Sequence, residues 1–361
     1  MRRRMRAKPL TDGLVGRLRQ AIAEGRFRGG RLPGERALTA EFGVSRGTVR
    51  AALAELERDG LVVPVHGRGT LLREGAKLPV AATGRIGVIS RWFNELKPGG
   101  AAAAGGYYGE LLRGLTAAAA AFGQDLLVYG PGGANRLDEI AGSGVGGLLL
   151  VAVTDPDVLR RAARTGLPAV LVDHVTDVVQ IDSVDIDSVG GAAAAVGHLY
   201  GLGHRDIAYI DWSQRELSRP RFDGYRRGLE LSGLSYRSDL VATGFSTEDG
   251  GAAAMLQLLR LQPRPTAVFV FSDTMARGAV RAALAAGVRI PEDLSVLGFG
   301  DLPVATSEAP HLSTMRIDVA AMGAAAVRRL AERIRRPGSE PVRVLIPATL
   351  TERQTCRALE G

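Results

Sequence analysis

A winged helix-turn-helix followed by an α/β body of parallel sheets is the fold class that this 361-residue sequence predicts. Three observations predict it. The first eighty residues run helix, short helix, turn, helix, hairpin. From Arg85 onward, short apolar runs alternate with Ala-rich helical stretches, as parallel strands covered by helices do. Charge divides at the same place. Residues 1–80 carry 17 Lys+Arg against 8 Asp+Glu, a balance of +9, while residues 81–361 carry 29 against 30, a balance of −1. Positive charge confined to one end points to a polyanion-binding module on a neutral body.

Each element of the first part has a local cause. In Leu10–Glu24 the apolar residues Leu14, Leu18, Ala21 and Ile22 fall on one helical face, and Gly25 and Gly29-Gly30 stop the helix. Glu35–Phe42 is a short helix with Leu38 and Phe42 four apart, closed by Gly43. Ser45 caps a third helix whose apolar stripe is Val49, Ala52, Leu53 and Leu56, ended by Gly60. Two short strands, Leu61–Val65 and Thr70–Arg73, flank His66-Gly67-Arg68-Gly69. The second helix of a helix-turn-helix enters the major groove with its N-terminal residues against base edges. Here that end carries Arg46 and Arg50, four apart on one face. Arginine can grip guanine O6 and N7 with two hydrogen bonds, worth about 1–3 kcal/mol of discrimination. One cationic helix alone would read equally well as a solvated surface; its order with the hairpin tip favours DNA.

The run Leu32-Pro-Gly-Glu-Arg-Ala-Leu-Thr-Ala-Glu-Phe-Gly-Val-Ser-Arg-Gly-Thr-Val-Arg50 through Gly60-Leu61, with His66-Gly-Arg-Gly-Thr70, resembles the GntR family of bacterial repressors over about residues 10–72. The resemblance implies that Arg36, Arg46 and Arg50 contact DNA phosphates and bases. It puts Ser45, Gly47 and Thr48 at the start of the recognition helix, and His66 and Gly67, with Arg68 beside them, at a wing tip in the minor groove. Gly34 departs from the small polar residue usual after Leu-Pro, which removes one possible phosphate contact or cap.

Arg73–Gly84 has no periodicity and contains Pro79 and two glycines, so it reads as a linker. Beyond it, strands are expected at Arg85–Ser90, Asp125–Tyr129, Gly147–Val153, Ala169–Val172, Asp206–Ile210, Ala267–Phe271 and Ser295–Gly298. Helices are expected at Tyr108–Phe122, Pro156–Thr165, Val189–Leu202, Arg221–Leu231, Gly250–Leu259, Asp273–Ala286 and Val319–Ile334. Ligands in such folds bind beyond the carboxyl ends of the strands, often between two domains.

Six motifs in order carry a second resemblance: Val145-Gly-Gly-Leu-Leu-Leu, Gly166-Leu-Pro-Ala-Val-Leu-Val-Asp173, His198-Leu-Tyr-Gly-Leu-Gly-His-Arg-Asp-Ile-Ala208, Arg221-Phe-Asp-Gly-Tyr225, Pro291-Glu-Asp-Leu-Ser-Val-Leu-Gly-Phe299 and Pro310-His-Leu-Ser-Thr-Met315. The body is similar to the effector domain of LacI/GalR repressors, which has the periplasmic-binding-protein fold of two parallel-sheet subdomains. A GntR-type reader on such a body is the arrangement of the AraR-like repressors. The chain is thus expected to divide into a DNA-binding domain at 1–72, a linker at 73–84 and a two-lobed effector-binding and dimerisation domain at 85–361.

By the same resemblance, Arg221 points into the cleft and bonds ligand oxygens, and Arg215 occupies another frequent contact position. Phe245 sits where a stacking aromatic is placed. Asp273 lies at a strand end with Ser272 beside it. Arg91, Tyr107 and Tyr108 come from the first subdomain, and Asp173 is a further candidate. Simpler readings stand beside these. Arg221 would serve as a surface arginine, Phe245 as core, Tyr107 and Tyr108 as the start of a helix, His198 and His204 as structural histidines, and Asp301 as a loop brace. The family usually reads Gly-aromatic-Asp-Asp; here Gly298-Phe-Gly-Asp301 puts Gly300 where the first carboxylate would hold the ligand. The pair Arg215 and Arg221 would suit a carboxylate or phosphate, which leaves acidic and phosphorylated sugars open.

Other classes are disfavoured. The longest apolar run, Val145–Val153, is about nine residues where a membrane span needs roughly 20. The basic start lacks the apolar stretch of a secretory signal. One cysteine, Cys356, excludes a disulfide framework and a Cys-rich zinc site, and fits a reducing compartment, so a cytoplasmic location is expected. Only Lys8, Lys77 and Lys97 are lysines, and none sits in a Gly-Lys-Ser/Thr phosphate loop. Gly142-Ser-Gly-Val-Gly-Gly147 matches a dinucleotide fingerprint in letters but precedes a strand instead of following one. GntR-type readers also occur on aminotransferase-like bodies, which need a Schiff-base lysine; Lys97, in a Pro/Gly-rich loop, is the only one beyond residue 80. The expectation is therefore no enzyme, no cofactor and no metal, but a repressor of carbohydrate genes released from double-stranded operator DNA by a sugar or sugar derivative. A pseudo-palindromic operator would make it a homodimer. The alternatives are a binding protein of the periplasmic type that does not touch DNA, and a regulator with a non-sugar effector.

Overall fold

The structure, a computed structural model, describes residues 31–58, 61–65, 69–72, 84–90, 106–130, 132–336 and 338–359, together with Thr11, Leu14, Val15, Arg17, Leu18, Ala21, Ile22 and Phe27. At the N-terminal end lie helices α1 (Glu35–Phe42) and α2 (Arg46–Arg58) and strands β1 (Val62–Val65) and β2 (Gly69–Leu72). Gly43, at φ 66°, ends α1 by donating its N–H to the Thr39 carbonyl, a left-handed cap that glycine adopts without strain. The Ser45 hydroxyl accepts the Thr48 N–H at 3.1 Å and starts α2. Leu38, Val49, Ala52 and Leu56 close on Leu14, Leu18, Leu32 and Leu61 in one small core, with Leu53 half-buried at its margin. The hairpin pairs Val62 with Leu72 and Val65 with Gly69. Most of the expected first helix and the linker at 73–83 lie outside the described residues.

The body has two lobes. Its chain runs β3 (Arg85–Ile89), α3 (Tyr107–Ala121), β4 (Asp125–Tyr129), α4 (Leu137–Gly142), β5 (Leu148–Val151), α5 (Pro156–Arg164), β6 (Ala169–Val172) and β7 (Asp182–Ile186). It then crosses to the second lobe with α6 (Ser188–Gly201), β8 (Ile207–Trp212), α7 (Arg215–Leu231), β9 (Val241–Gly244), α8 (Glu248–Leu258), β10 (Ala267–Val270), α9 (Asp273–Ala285), β11 (Ser295–Gly300) and β12 (Ser313–Ile317). It returns for α10 (Val319–Arg335) and β13 (Arg343–Ile346), and crosses once more into β14 (Ala348–Thr351). The first sheet, ordered β13-β7-β6-β5-β3-β4, is parallel throughout. The second, β14-β12-β11-β10-β8-β9, is parallel except for β14. Aspartates cap the helices at two of the three crossings: Asp187 accepts the Gly190 N–H and Asp318 the Ala321 N–H, each at 2.8 Å.

Continuous apolar runs give the central strands: Leu148–Val151 and Ala267–Val270 are wholly buried. Five strands depart from expectation by existing at all. β7 reads Asp-Ser-Val-Asp-Ile and β12 Ser-Thr-Met-Arg-Ile, each polar at alternate or central positions. β9, β13 and β14 are four residues long, and all three lie at sheet edges. Neighbouring strands, parallel for all but β14, supply their stability, so periodicity alone did not reveal them. The helix expected to begin at Arg221 begins at Arg215 and runs through Pro220. Proline removes one helical N–H, and the carbonyl it would have met belongs to exposed Glu216, where water can serve. No helix among the described residues is long and apolar enough to cross a membrane.

Candidate functional site

Two surfaces concentrate the expected residues. On the first, Arg36, Ser45, Arg46, Gly47 and Arg50 are all exposed around the start of α2. The Arg50 Nε donates to both oxygens of Glu35 at 2.9 and 3.0 Å, yet its side chain is 71% exposed. α1 therefore aims this guanidinium without hiding it. Thr48 departs from expectation: it is buried, and its hydroxyl lies 2.9 Å from the Ser45 hydroxyl. Its polar group is spent on the helix cap and not turned outward to DNA. His66, Gly67 and Arg68 lie outside the described residues.

The second surface is a cavity of about 750 Å³ at the strand ends between the lobes. Tyr107 and Tyr108 of α3, Asp173 after β6 and Asp185 of β7 face it from one lobe; Trp212, Arg221, Phe271, Ser272, Phe299 and Gly300 face it from the other. Arg221 is clamped. Its guanidinium carbon lies 4.3 Å from the Phe271 ring centre and 3.8 Å from that of Phe299. Nη1 donates to the Phe271 carbonyl at 2.7 Å and Nη2 to the Ser188 hydroxyl at 3.2 Å. Nε, buried, has no partner among the described residues.

Opposite stands Asp173, at φ 59°, a left-handed conformation that aspartate tolerates better than most residues. It accepts hydrogen bonds from the Tyr107 hydroxyl at 2.8 Å and the Tyr108 hydroxyl at 3.0 Å. The two rings meet edge to face, 5.0 Å between centres. Burial, reinforced by the charge of Asp185, pushes the Asp173 carboxyl up to about 7, against the pull of the two tyrosine hydrogen bonds. Asp185 is also raised by burial, and His174 is lowered by it.

Ser272 lines the cavity while capping α9. Phe245 is not brought there; the residue is 72% exposed, and its successors Ser246, Thr247 and Glu248 reach the lining instead. Asp273 is not brought there either. It is fully buried behind the wall, accepting the Thr314 hydroxyl at 2.5 Å and the Leu302 N–H at 2.8 Å, and burial pushes its carboxyl up to about 6. This explains Gly300. At φ 136° only glycine is unstrained, and a Cβ would stand 3.1 Å from the Asp273 carboxylate. A second acid at 300 would face that buried charge. Arg91 and the Arg215 side chain lie outside what is described. His204 bonds Thr266 and Ser295, each at 3.0 Å, and Asp301 accepts from Arg353 at 2.6 Å, as structural residues do.

Sequence reasoning missed Asp185, Trp212, Phe271 and Phe299. The three aromatics could have been found from the rule that strand ends meet ligand. Asp185 could not, because its strand was not legible.

Residues 10–72 match the family described as bacterial regulatory proteins of the gntR family, and residues 196–356 match the periplasmic binding protein-like domain. The HTH-type transcriptional regulator CelR of Thermobifida fusca is 36% identical over 220 residues, 60% of this chain and 65% of that protein, so the chain spans just under two thirds of that relative. Catabolite control protein A of Priestia megaterium is 28% identical over 70% of this chain and 78% of its own length. Among solved structures, a complex of transcriptional regulator CelR with cellobiose is similar at a TM-score of 0.68 and 29% identity, covering 90% of this chain and all of that one.

Proposed function

We infer that this chain, a gntR-family reader joined to a periplasmic binding protein-like body of the LacI/GalR type, is a DNA-binding transcriptional regulator whose hold on its operator is set by a sugar or sugar derivative. The inter-lobe cavity carries the reading. Aromatic rings suit the C–H faces of a sugar, and the unpartnered Nε of Arg221 leaves a buried donor that a ligand oxygen would complete. The likeness to a regulator bound to cellobiose supports the same class. Arg36, Arg46 and Arg50 would meet DNA, Arg50 in the direction that Glu35 sets. Arg221, Asp173, Tyr107, Tyr108 and Ser272 would meet the ligand.

In this reading the protein is a cytoplasmic homodimer with one reader on each half of a pseudo-palindromic site. Ligand draws the lobes together about the three crossings, the spacing of the readers changes, and DNA is released. No bond of the ligand is made or broken. The test is a fluorescence anisotropy titration on an operator selected from random DNA, repeated over a panel of sugars. Selective DNA binding weakened by one of them is expected. Sequence-selective binding that no sugar alters would remove the effector half of the reading, and absence of selectivity would remove the reader.

A further inference from the structure

We propose that the cleft takes an uncharged oligosaccharide of at least two rings, and that Asp185 is the residue that refuses acidic and phosphorylated counterparts. This rests on the sugar-sensing reading above and narrows it. Arg221 alone would attract an anion, but acids already stand beside it. Two of its nitrogens are engaged by Phe271 and Ser188, and the carboxylates of Asp173 and Asp185 lie near enough for their charges to act on its guanidinium. The other described guanidiniums of the lining are answered as well: Arg219 lies 3.6 Å from Asp223 and Arg343 3.9 Å from Asp185. The described lining holds five carboxylates against three guanidiniums. Glu248 is matched by Arg281 outside the lining, and the rest still favour negative charge. A ligand anion would enter a partly desolvated site whose remaining guanidinium, Arg221, already has the two acids Asp173 and Asp185 acting on it, and repulsion from those acids is weakly screened there.

Uncharged hydroxyls face no such penalty, since they donate to carboxylates and accept from guanidinium N–H groups alike. Asp185 is buried, with one oxygen accepting the Ile186 N–H at 2.8 Å and the other turned towards Arg343. With Asp173 ionised, as above its value of about 7, Asp185 and Asp173 together keep the cleft floor negative. Length follows from shape. The cavity exceeds what one sugar ring fills, and it continues into a second hollow of about 580 Å³ that shares His174, Val175, Glu216 and Arg343 with it.

The experiment uses the full chain at pH 8. Cellobiose, maltose and lactose are each compared with their constituent monosaccharides, and with their own C6-oxidised and C6-phosphorylated forms. Thermal shift and calorimetry read binding, and anisotropy reads release from DNA. A neutral disaccharide is expected to bind at least about tenfold more tightly than either its monosaccharide or its charged forms. Asp185→Asn, which keeps the Ile186 acceptor, should narrow the ratio of neutral to acidic ligand several-fold; Asp173→Asn serves as the second variant if the first fails to fold. A charged form binding as tightly as the neutral one, or a monosaccharide matching the disaccharide, overturns the proposal while leaving a sugar-sensing regulator. A ratio unmoved in both variants overturns the role of these acids. Silence of every sugar, charged or not, brings down the sugar-sensing reading as well.

Discussion

Asp173 shows how one residue joins geometry to acidity. Its carboxyl is pushed up to about 7 by burial and by Asp185, above the roughly 3.9 of an unfolded chain. The sign for stability follows. Asp173 contributes most below about pH 4, and that contribution is lost as pH rises through 7. Ligand binding runs the other way, because a sugar hydroxyl donating to this group favours its ionised form. Affinity should therefore rise about tenfold between pH 6 and pH 8, and Asp173→Asn should flatten that profile; calorimetry at three pH values decides it. Arg221→Ala should abolish the ligand response and leave operator affinity intact, since the reader is a separate unit; a normal response would exclude Arg221 from the site. Legibility at this scale was uneven. Arg221 and Asp173 stood in motifs, Asp173 at a strand end, while the two tyrosines rested on the resemblance alone and open α3. Phe245 and Asp273 had equally good sequence positions but are separated from the cavity by a loop direction and a buried hydrogen-bond pair that local sequence does not encode.

Among the elements, α2 depends on α1 for more than packing. Arg50→Ala is expected to cost about 1–3 kcal/mol of operator discrimination, and Glu35→Gln a part of that by loosening the guanidinium, measured by competition between operator and random DNA. Ser45→Ala should lower stability by about 1 kcal/mol through the lost cap, read by urea unfolding. In the second lobe, α8 and α9 lie so close that a methyl at Gly278 would overlap the Glu248 carbonyl and one at Gly251 the Met275 carbonyl. Gly278→Ala should thus destabilise by about 1–3 kcal/mol or more, visible as a lower melting temperature. Helices of this length were legible because amphipathic spacing and caps are local properties. Edge strands such as Val241–Gly244 and Arg343–Ile346 were not, since four residues carry little periodic signal and their partners are remote in sequence.

For the whole molecule, the divide at residue 80 between a +9 end and a −1 remainder separates the reader from the body. If ligand weakens operator binding by some factor, operator DNA must weaken ligand binding by the same factor. Calorimetric titration of the sugar with and without saturating operator should return that equality; a sugar affinity that operator leaves unchanged would mean the two sites are not coupled. The three crossings have a further consequence. Each lobe is assembled from two separate stretches of chain, the first from β3–β7 with α10–β13 and the second from α6–β12 with β14. A single genetic exchange between such proteins can replace the reader, which is one continuous segment. It cannot transplant either lobe, because any single breakpoint within the body leaves one sheet with strands from both parents. Readers can thus be traded among sensors, while the two walls of a cleft are inherited together.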